Sequence, residues 1–138
     1  ATLTAPIKAA IDFESAMADV RKVVTFDTPD GLQKLGETLK IMSREIPLSA
    51  AGLAQIAASG GQLGIAAKDL AFFTNVVAKM ATAFDMSAEE AGDAMAKLAN
   101  VYQIPITEMT KLGDAINYLS DNTAAKAKDM VPALNRIG

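Results

Sequence analysis

Histidine, cysteine and tryptophan are all absent from this 138-residue chain. Without histidine the chain lacks the commonest general base, the base of a serine triad and the usual zinc ligand. Without cysteine it has neither disulfides nor thiolate chemistry, although this leaves its redox compartment undetermined. We therefore expect a protein that is not an enzyme and that has no catalytic, cofactor-binding or metal-binding residues.

Aromatic residues are also scarce, at 5% of the chain, so a core must be mainly aliphatic. Alanine supplies 27 of the 138 residues, which favours helices and lets them approach closely. The apolar residues recur at helical spacing, and we predict an all-α fold of six to seven helices in a single domain, 1–138. The chain lacks an initiating methionine and stops at Arg136-Ile137-Gly138, so we expect it to be a fragment of a much longer chain.

Charge of either sign is sparse and evenly spread. The net charge is −3, from 16 acidic and 13 basic residues, and no basic block is present. Because a duplex-binding domain normally shows a basic face, this pattern argues against nucleic acid as a partner. The first 17 residues contain no apolar core of a signal peptide.

The stretch 46–84 organises the chain in our prediction, because no charged residue lies between Glu45 and Lys68. A central helix over about 66–84 follows, with most of its circumference apolar, and we expect it to be the most buried helix. One stripe of this helix is apolar: Leu70, Phe73, Val77, Met80 and Phe84, flanked by Ala71, Phe72, Val76, Ala78 and Ala81. The opposite stripe is polar: Lys68, Asn75, Lys79 and Thr82.

Capping residues and prolines predict the remaining helices. The expected ranges are 6–24, then Pro29 to Ile46 after a Thr28 cap, Ser49 to Ser59 closed by Gly60-Gly61, 88–102 after a Ser87/Glu90 capping box, a sixth helix capped by Thr107, and a last one capped by Asp129 with Pro132 in its first turn. The expected inward residues are Phe13, Met17, Val20, Val24, Leu32, Leu35, Leu39, Met42, Ile46, Ala91, Met95, Leu98, Tyr102, Met109, Leu112, Ile116 and Leu119. Residues 122–123 are expected to form a loop.

One sequence pattern occurs twice. Gly92-Asp93-Ala94-Met95 with Leu98 recurs as Gly113-Asp114-Ala115-Ile116 with Leu119, at an offset of 21 residues. Two such helix hairpins could stack as in an α-solenoid, although two copies are too few to establish a repeat array.

Three segments resemble known sites but lack their chemistry. The glycines of 60–64 follow a helix rather than a strand, and no Lys-Ser or Lys-Thr follows them, so we predict a flexible turn and not a phosphate cradle. Glu89, Glu90 and Asp93 are expected to complement the dipole of the helix that they begin. The segment 48–70 has helix-turn-helix spacing, but Lys68 and the acidic Asp69 at its second helix do not suit DNA.

The uncharged run 46–67 raises the question of a membrane span. Its proline, glutamines, serines and glycines make it too polar and too interrupted for a span, so a soluble segment is favoured, although contact with a membrane in another state is left open. Its small-residue spacings, Ala50/Ala54/Ala58 and Gly60/Gly64, fit close helix contacts in water as well as in lipid. We also expect this run to supply an apolar surface for association, with Leu53, Ile56 and Leu63 as contact residues.

Several short segments follow one another in a recognisable order: Phe13-Glu14-x-x-Met17-x-x-Val20, Pro47-x-Ser49, Leu53-Ala54, Gly61-Gln62-Leu63-Gly64-Ile65, Leu70-Ala71-x-Phe73, Ala83-Phe84, Ala91-Gly92-Asp93, Asp114-Ala115-Ile116-Asn117-x-Leu119-Ser120 and Asp129-Met130-Val131-Pro132-x-Leu134-x-Arg136-x-Gly138. In this order and spacing the chain resembles the conserved amino-proximal region of phage tail tape measure proteins. The resemblance covers most of the chain, and it transfers no functional residue.

The resemblance implies a virion structural protein that lies inside the tail tube, sets tail length during assembly and leaves as DNA is ejected. It implies synthesis in the bacterial cytoplasm from a phage or prophage. The implied partners are the tail tube protein, tail assembly chaperones, initiator-complex proteins and further copies of the chain, with no small-molecule substrate. Two alternatives remain open from the sequence: a helical adaptor that binds a partner helix in a groove, and a small helix-turn-helix regulator.

Overall fold

The computed structural model describes residues 4–123 and 125–137, and within these ranges the chain is helical without a β-strand. Seven α-helices follow one another: α1 (Thr4–Val23), α2 (Gly31–Met42), α3 (Ala50–Gln62), α4 (Ala67–Ala83), α5 (Ala88–Val101), α6 (Met109–Asn122) and α7 (Ala127–Ile137). A 3₁₀ turn, Ile106–Glu108, precedes α6. The predicted all-α class with six to seven helices is confirmed.

Helix α4 lies at the centre, as its nearly continuous apolar circumference predicts. It contacts α2, α3, α5 and α6, and its Leu70, Phe73 and Val77 side chains are fully buried. Its polar stripe faces outward, with Lys68 and Lys79 exposed. The helix therefore has the orientation that the sequence pattern predicts.

Helix α3 shares this central position. It contacts α1, α2, α4 and α5, and 8 of its 13 residues are buried, compared with 8 of 17 in α4. The prediction that α4 is the most buried helix therefore needs correction, because α3 has the larger buried share. The burial of α3 also explains why 46–67 carries no charge, since a buried charge without a partner is strongly unfavourable.

The glycines at the end of α3 are not the flexible turn that the sequence suggested. Gly60 and Gly61 lie inside the helix and are buried, Gly60 against the Phe73 ring and Gly61 against Val24. The turn comes later, at Gly64, whose φ of 95° is a conformation that glycine adopts readily. The two glycines thus allow close contact between helices, and only Gly64 supplies the turn.

Two predicted caps are confirmed by their hydrogen bonds. At the start of α3, the Gly52 N–H donates to Ser49 Oγ at 3.0 Å. At the start of α5, the Glu90 N–H donates to Ser87 Oγ at 3.2 Å, while the Ser87 N–H donates to Glu90 Oε2 at 3.0 Å. These bonds satisfy N–H groups that have no partner within the helix.

Other predicted boundaries are wrong by a few residues. Helix α2 begins at Gly31, after a turn in which the Gly31 N–H bonds to the Thr28 carbonyl, and it ends at Met42 rather than near Pro47. The 3₁₀ turn displaces the start of α6, so Thr107 does not cap it. In each case a hydrogen-bonded turn occupies residues that the sequence pattern assigned to a helix or its cap.

The carboxyl-terminal helices differ in the same way. Helix α6 continues through Asn122, where a loop was predicted, and α7 begins at Ala127. Asp129 therefore lies in the first turn of α7 instead of capping it, and Pro132 lies inside the helix. Gly138, the last residue of the final segment that carries the resemblance, lies outside the described residues.

Two residues predicted to be inward, Tyr102 and Leu119, are exposed, and so is Phe72, which flanks the apolar stripe of α4. In α6 the buried residues are Met109, Gly113 and Ile116. Gly113 thus takes the inward position that the sequence pattern assigned to Leu112, and Leu119 lies beside the buried stripe. Tyr102 lies against α7, where its hydroxyl donates to the Leu134 carbonyl at 2.8 Å. Phe72 borders a groove on α4 that no helix of the described part covers.

Candidate interaction surfaces

Of the three acidic residues near the start of α5, two take part in capping and helix packing. Glu90 belongs to the capping box, and hydrogen bonds from Ser87 hold the pKa of its carboxyl below the ordinary value. Asp93 accepts a hydrogen bond of 2.7 Å from Ser59 Oγ, which joins α5 to α3. Among the described residues no group of three or more potential ligands could hold a metal ion.

The uncharged run 46–67 does not form the association surface that we expected. Leu53 and Ile56 are fully buried, Ile46 is buried, and Leu63 is half-buried at the end of α3. The prediction is wrong because the same lack of charge is required of a helix enclosed by its neighbours. In the described part of the chain, no helix is both long and apolar enough to cross a membrane.

Exposed apolar side chains lie elsewhere, and one group forms a ridge on α1. All nine residues from 4 to 12 are exposed, and Ile7 and Ile11, one helical turn apart, are 58% and 63% exposed. With the exposed Ala10 between them, they form what we call the α1 ridge. The buried part of the helix begins only at Phe13.

A second apolar surface is a groove of about 440 Å³ between α4 and α6, which we call the α4–α6 groove. Its apolar lining consists of Phe72, Val76, Met80, Ala83 and Phe84, and its polar lining of Asn75, Lys79, Thr110, Asp114 and Asn117, with Gly113 between them. Phe72 is 45% exposed at its edge. Lys79 on the α4 wall and Asp114 on the α6 wall place opposite charges on opposite sides.

The 21-residue sequence echo continues into the packing of the helices. Gly92 brings α5 against α3, where an added Cβ would lie 3.1 Å from Ile56 Cα and 3.2 Å from Ser59 Oγ. Gly113 brings α6 against α4 at Met80, which lies 21 residues after Ser59. The internal echo therefore corresponds to two helix crossings at a glycine, α5 on α3 and α6 on α4, the first against backbone and the second against the Met80 side chain.

The first crossing is bordered by a cleft that corresponds to the α4–α6 groove. This cleft is lined by α1 together with Gln55, Ala58, Ser59, Gln62, Glu89 and Asp93. The residues 21 positions later are Val76, Lys79, Met80, Ala83, Thr110 and Asp114, and all six line the α4–α6 groove. The two sites thus occupy corresponding positions at the 21-residue offset, although Asp93 and Asp114 are the one identical pair among these six. Within the described residues, helix α1 lines the first site but not the second.

The family model described as "Phage-related minor tail protein" matches residues 31–138, which run from the first residue of α2 to the end of the chain. The chain belongs to this family. It is also 32% identical over 145 aligned residues to a protein of Halomonas phage phiHAP-1 named "Probable tape measure protein". That alignment covers 96% of this chain and 17% of the relative, so the chain spans about a sixth of the length of this curated relative.

Membership of a phage tail family confirms the resemblance to tape measure proteins that the short segments indicated. It also gives the chain a structural role in a phage tail, and hence a place in the virion. No solved structure shows a significant match.

The helix-turn-helix alternative can be assessed from the positions of α3 and α4 in this tail protein. A turn does join the two helices, but α4 is enclosed by α2, α3, α5 and α6, while a recognition helix must present a face to the DNA groove. Its exposed residues include Phe72 and Lys79, which border the α4–α6 groove. The geometry therefore favours a surface for protein contacts.

Proposed function

We propose that this chain is part of a tape measure protein, which sets the length of a phage tail and organises its assembly. The observation that carries this proposal is the similarity to a probable tape measure protein over 96% of the chain. The helical fold is consistent with it, because a protein that measures length needs extended or stacked helices more than a concave site for chemistry. We propose no catalytic, cofactor or metal residue and no small-molecule substrate for this segment.

The proposal extends to the organisation of the chain. Its buried apolar side chains form one cluster from Phe13 in α1 to Val131 in α7, which supports a single helical domain over 1–138. The relative is about six times as long as the region that it shares with this chain, which is consistent with the domain being one piece of a longer tape measure.

The proposed place of action is the interior of the tail, after synthesis in the bacterial cytoplasm from a phage or prophage genome. The proposed partners are the tail tube protein, the tail assembly chaperones and further copies of the chain. The α1 ridge and the α4–α6 groove support these protein contacts, because both expose apolar area that a partner would cover.

The experiment is an in-frame deletion of the segment from its complete gene in the phage that carries it, with the complete gene supplied in trans as the control. We expect the deletion to give tails of altered length, or unassembled tail tubes, in electron micrographs. We also expect peptides of the segment in purified wild-type tails by mass spectrometry. Tails of normal number and length without the segment would contradict the proposal.

A further inference from the structure

We propose that the α1 ridge of one copy of this chain binds in the α4–α6 groove of a second copy. This inference rests on the self-association included in the proposed function, but not on the setting of tail length. It identifies the two surfaces, the charges that align them and the residues whose exchange would test the contact.

The α1 ridge is costly to leave uncovered. Residues 4–12 form about 13 Å of helix, from a rise of about 1.5 Å per residue, yet none of their side chains is buried. Packing supplies most helix stability in proteins, and this part of α1 extends beyond the packed half, which begins at Phe13. A surface that covers Ile7 and Ile11 would therefore stabilise this half of α1 as well as removing apolar area from water.

The positions of the two sites in the sequence also favour this contact. At the first site, the carboxyl-terminal half of α1 lies along α3 and lines the cleft with Asp93 of α5. At the second site, 21 residues later, α4 and Asp114 of α6 form the corresponding walls, but no residue of α1 or α2 lines the groove in the described part of the chain. A helix of the chain therefore packs beside the first crossing, and the corresponding side of the second crossing is open to a helix from another copy.

The charges beside the ridge and the groove are complementary. Lys8 and Glu14 are separated by about 120° around the axis of α1, and Ile7 and Ile11 lie between them. Lys79 and Asp114 lie on opposite walls of the groove. In one orientation Lys8 faces Asp114 and Glu14 faces Lys79, so both flanks of the ridge meet the opposite charge.

These charges are available for a partner. Glu14, Lys79 and Asp114 form no ion pair within the described residues. Lys8 pairs with Asp12 at 2.8 Å, but both side chains are largely exposed, and exposed pairs of this kind contribute little. If Lys8 leaves Asp12 to pair with Asp114 of the second copy, the free energy should therefore change little. The charges would select the orientation of the contact and would contribute little to its affinity.

The first experiment compares three versions of the 138-residue chain by sedimentation over a range of concentrations. We expect the wild-type chain to associate and Ile11→Asp to weaken association at least tenfold. Ile41→Asp is the matched control, because Ile41 on α2 is 57% exposed but lies outside both surfaces. Equal loss of association in both variants, or a wild-type chain that stays monomeric at its highest soluble concentration, would overturn the inference.

The second experiment exploits the difference between the two surfaces. Ile11→Asp leaves the groove intact, and Phe72→Asp leaves the ridge intact, so we expect each variant to be monomeric alone but the mixture to form a complex. A contact between the ridges of two copies predicts a different result. The Phe72→Asp chain would then associate with itself and would not bind the Ile11→Asp chain. That result would overturn the inference.

A charge exchange guards against variants that fail to fold, since it alters only exposed side chains. Glu14→Lys and Lys79→Glu should each weaken association severalfold in low salt, and the double variant should recover it. Circular dichroism would verify the fold of every chain. If a folded double variant does not recover association, the proposed orientation is overturned. If the tail-deletion experiment alone fails, the tape measure role is rejected and this contact is unaffected.

Discussion

The contact between Gly60 of α3 and Phe73 of α4 allows a strict test of the central packing. A Cβ added to Gly60 would lie 2.8 Å from Cε1 and 2.9 Å from Cδ1 of the Phe73 ring, which is fully buried. Such overpacking typically destabilises a protein by about 1–3 kcal/mol. Alanine also favours the helix by about 1 kcal/mol relative to glycine, so we expect Gly60→Ala to lower the free energy of unfolding by about 1 kcal/mol in total.

The sign of this effect should reverse when the ring is absent. Phe73→Ala alone should lower the free energy of unfolding by about 3–5 kcal/mol, because it leaves a cavity in the core. With the ring removed, the remaining close contact of the added Cβ is Ile65 Cδ1 at 3.3 Å, the end of a flexible side chain that can move aside, and we expect Gly60→Ala to raise the free energy of unfolding by up to about 1 kcal/mol through helix propensity. The two substitutions should therefore be coupled by about 1–3 kcal/mol, within the range measured for residues in contact.

The measurement is a double-mutant cycle by urea unfolding, followed by far-UV circular dichroism. A stabilising osmolyte can be added equally to all four chains to keep the least stable one folded. The comparison is valid if the dependence of the free energy on urea is the same for each. An effect of Gly60→Ala with the same sign and size in both backgrounds would refute the argued contact between α3 and α4.

Three further predictions concern stability in the same assay. Phe73→Ala should be severely destabilising, whereas Lys79→Ala should change the free energy of unfolding by less than about 0.5 kcal/mol because its side chain is exposed; similar urea midpoints would contradict this orientation of α4. Gly92→Ala should lower the free energy of unfolding by about 1–2 kcal/mol more than Gly113→Ala. The Cβ added at Gly92 would lie 3.1 Å from the backbone of α3, whereas the one added at Gly113 would meet the flexible Met80 side chain. A reversed order would be evidence against the two crossings. Because the pKa of Glu90 is lowered in the folded state, its carboxylate stabilises the fold at pH values above the unfolded-state pKa, and this stabilisation is lost as pH falls through the lower folded-state pKa. The free energy of unfolding of Glu90→Gln should therefore fall less at acidic pH than that of the wild type.

Much of the fold could be predicted because its signals are local. The positions of Leu70, Phe73 and Val77 fix the inward face of α4 through the 3.6-residue period, and no neighbour has to be known. The Ser87/Glu90 box is equally local, because both partners lie within one helical turn. Patterns of this kind determine that a helix forms and which side it buries.

The errors arose where a contact between distant segments decides the structure. In the local sequence Gly60 and Gly61 resemble a helix end, but they lie inside α3. The Phe73 ring and Val24 pack so closely against them that a larger side chain would not fit. Leu119 is exposed because Gly113 brings α6 so close to Met80 that the buried stripe shifts around the helix. Neither partner is close enough in sequence for periodicity to reveal it.

The misplaced association surface has a related cause. A run without charge indicates that a segment avoids water, but it does not distinguish burial within one chain from burial between chains. Leu53 and Ile56 are covered by the chain's own helices. The α1 ridge gave a weaker sequence signal, because Ile7 and Ile11 lie outside the apolar stripe of Phe13, Met17 and Val20, among charged residues.

The correspondence of the two sites gives a reason to regard the α4–α6 groove as a surface that is covered in the assembled protein. At the first site Gln55 and Gln62 are exposed, as expected of a cleft that α1 closes only in part and that otherwise faces water. The residues 21 positions later are Val76, which is buried within the chain, and Ala83, which is exposed, as is Phe72, at the groove that no helix of the described part covers. If this groove faced water permanently, polar side chains would suit the positions of Phe72 and Ala83 better. Exposed apolar side chains here are what a seat for an additional helix requires, because apolar area gains only when a partner removes it from water.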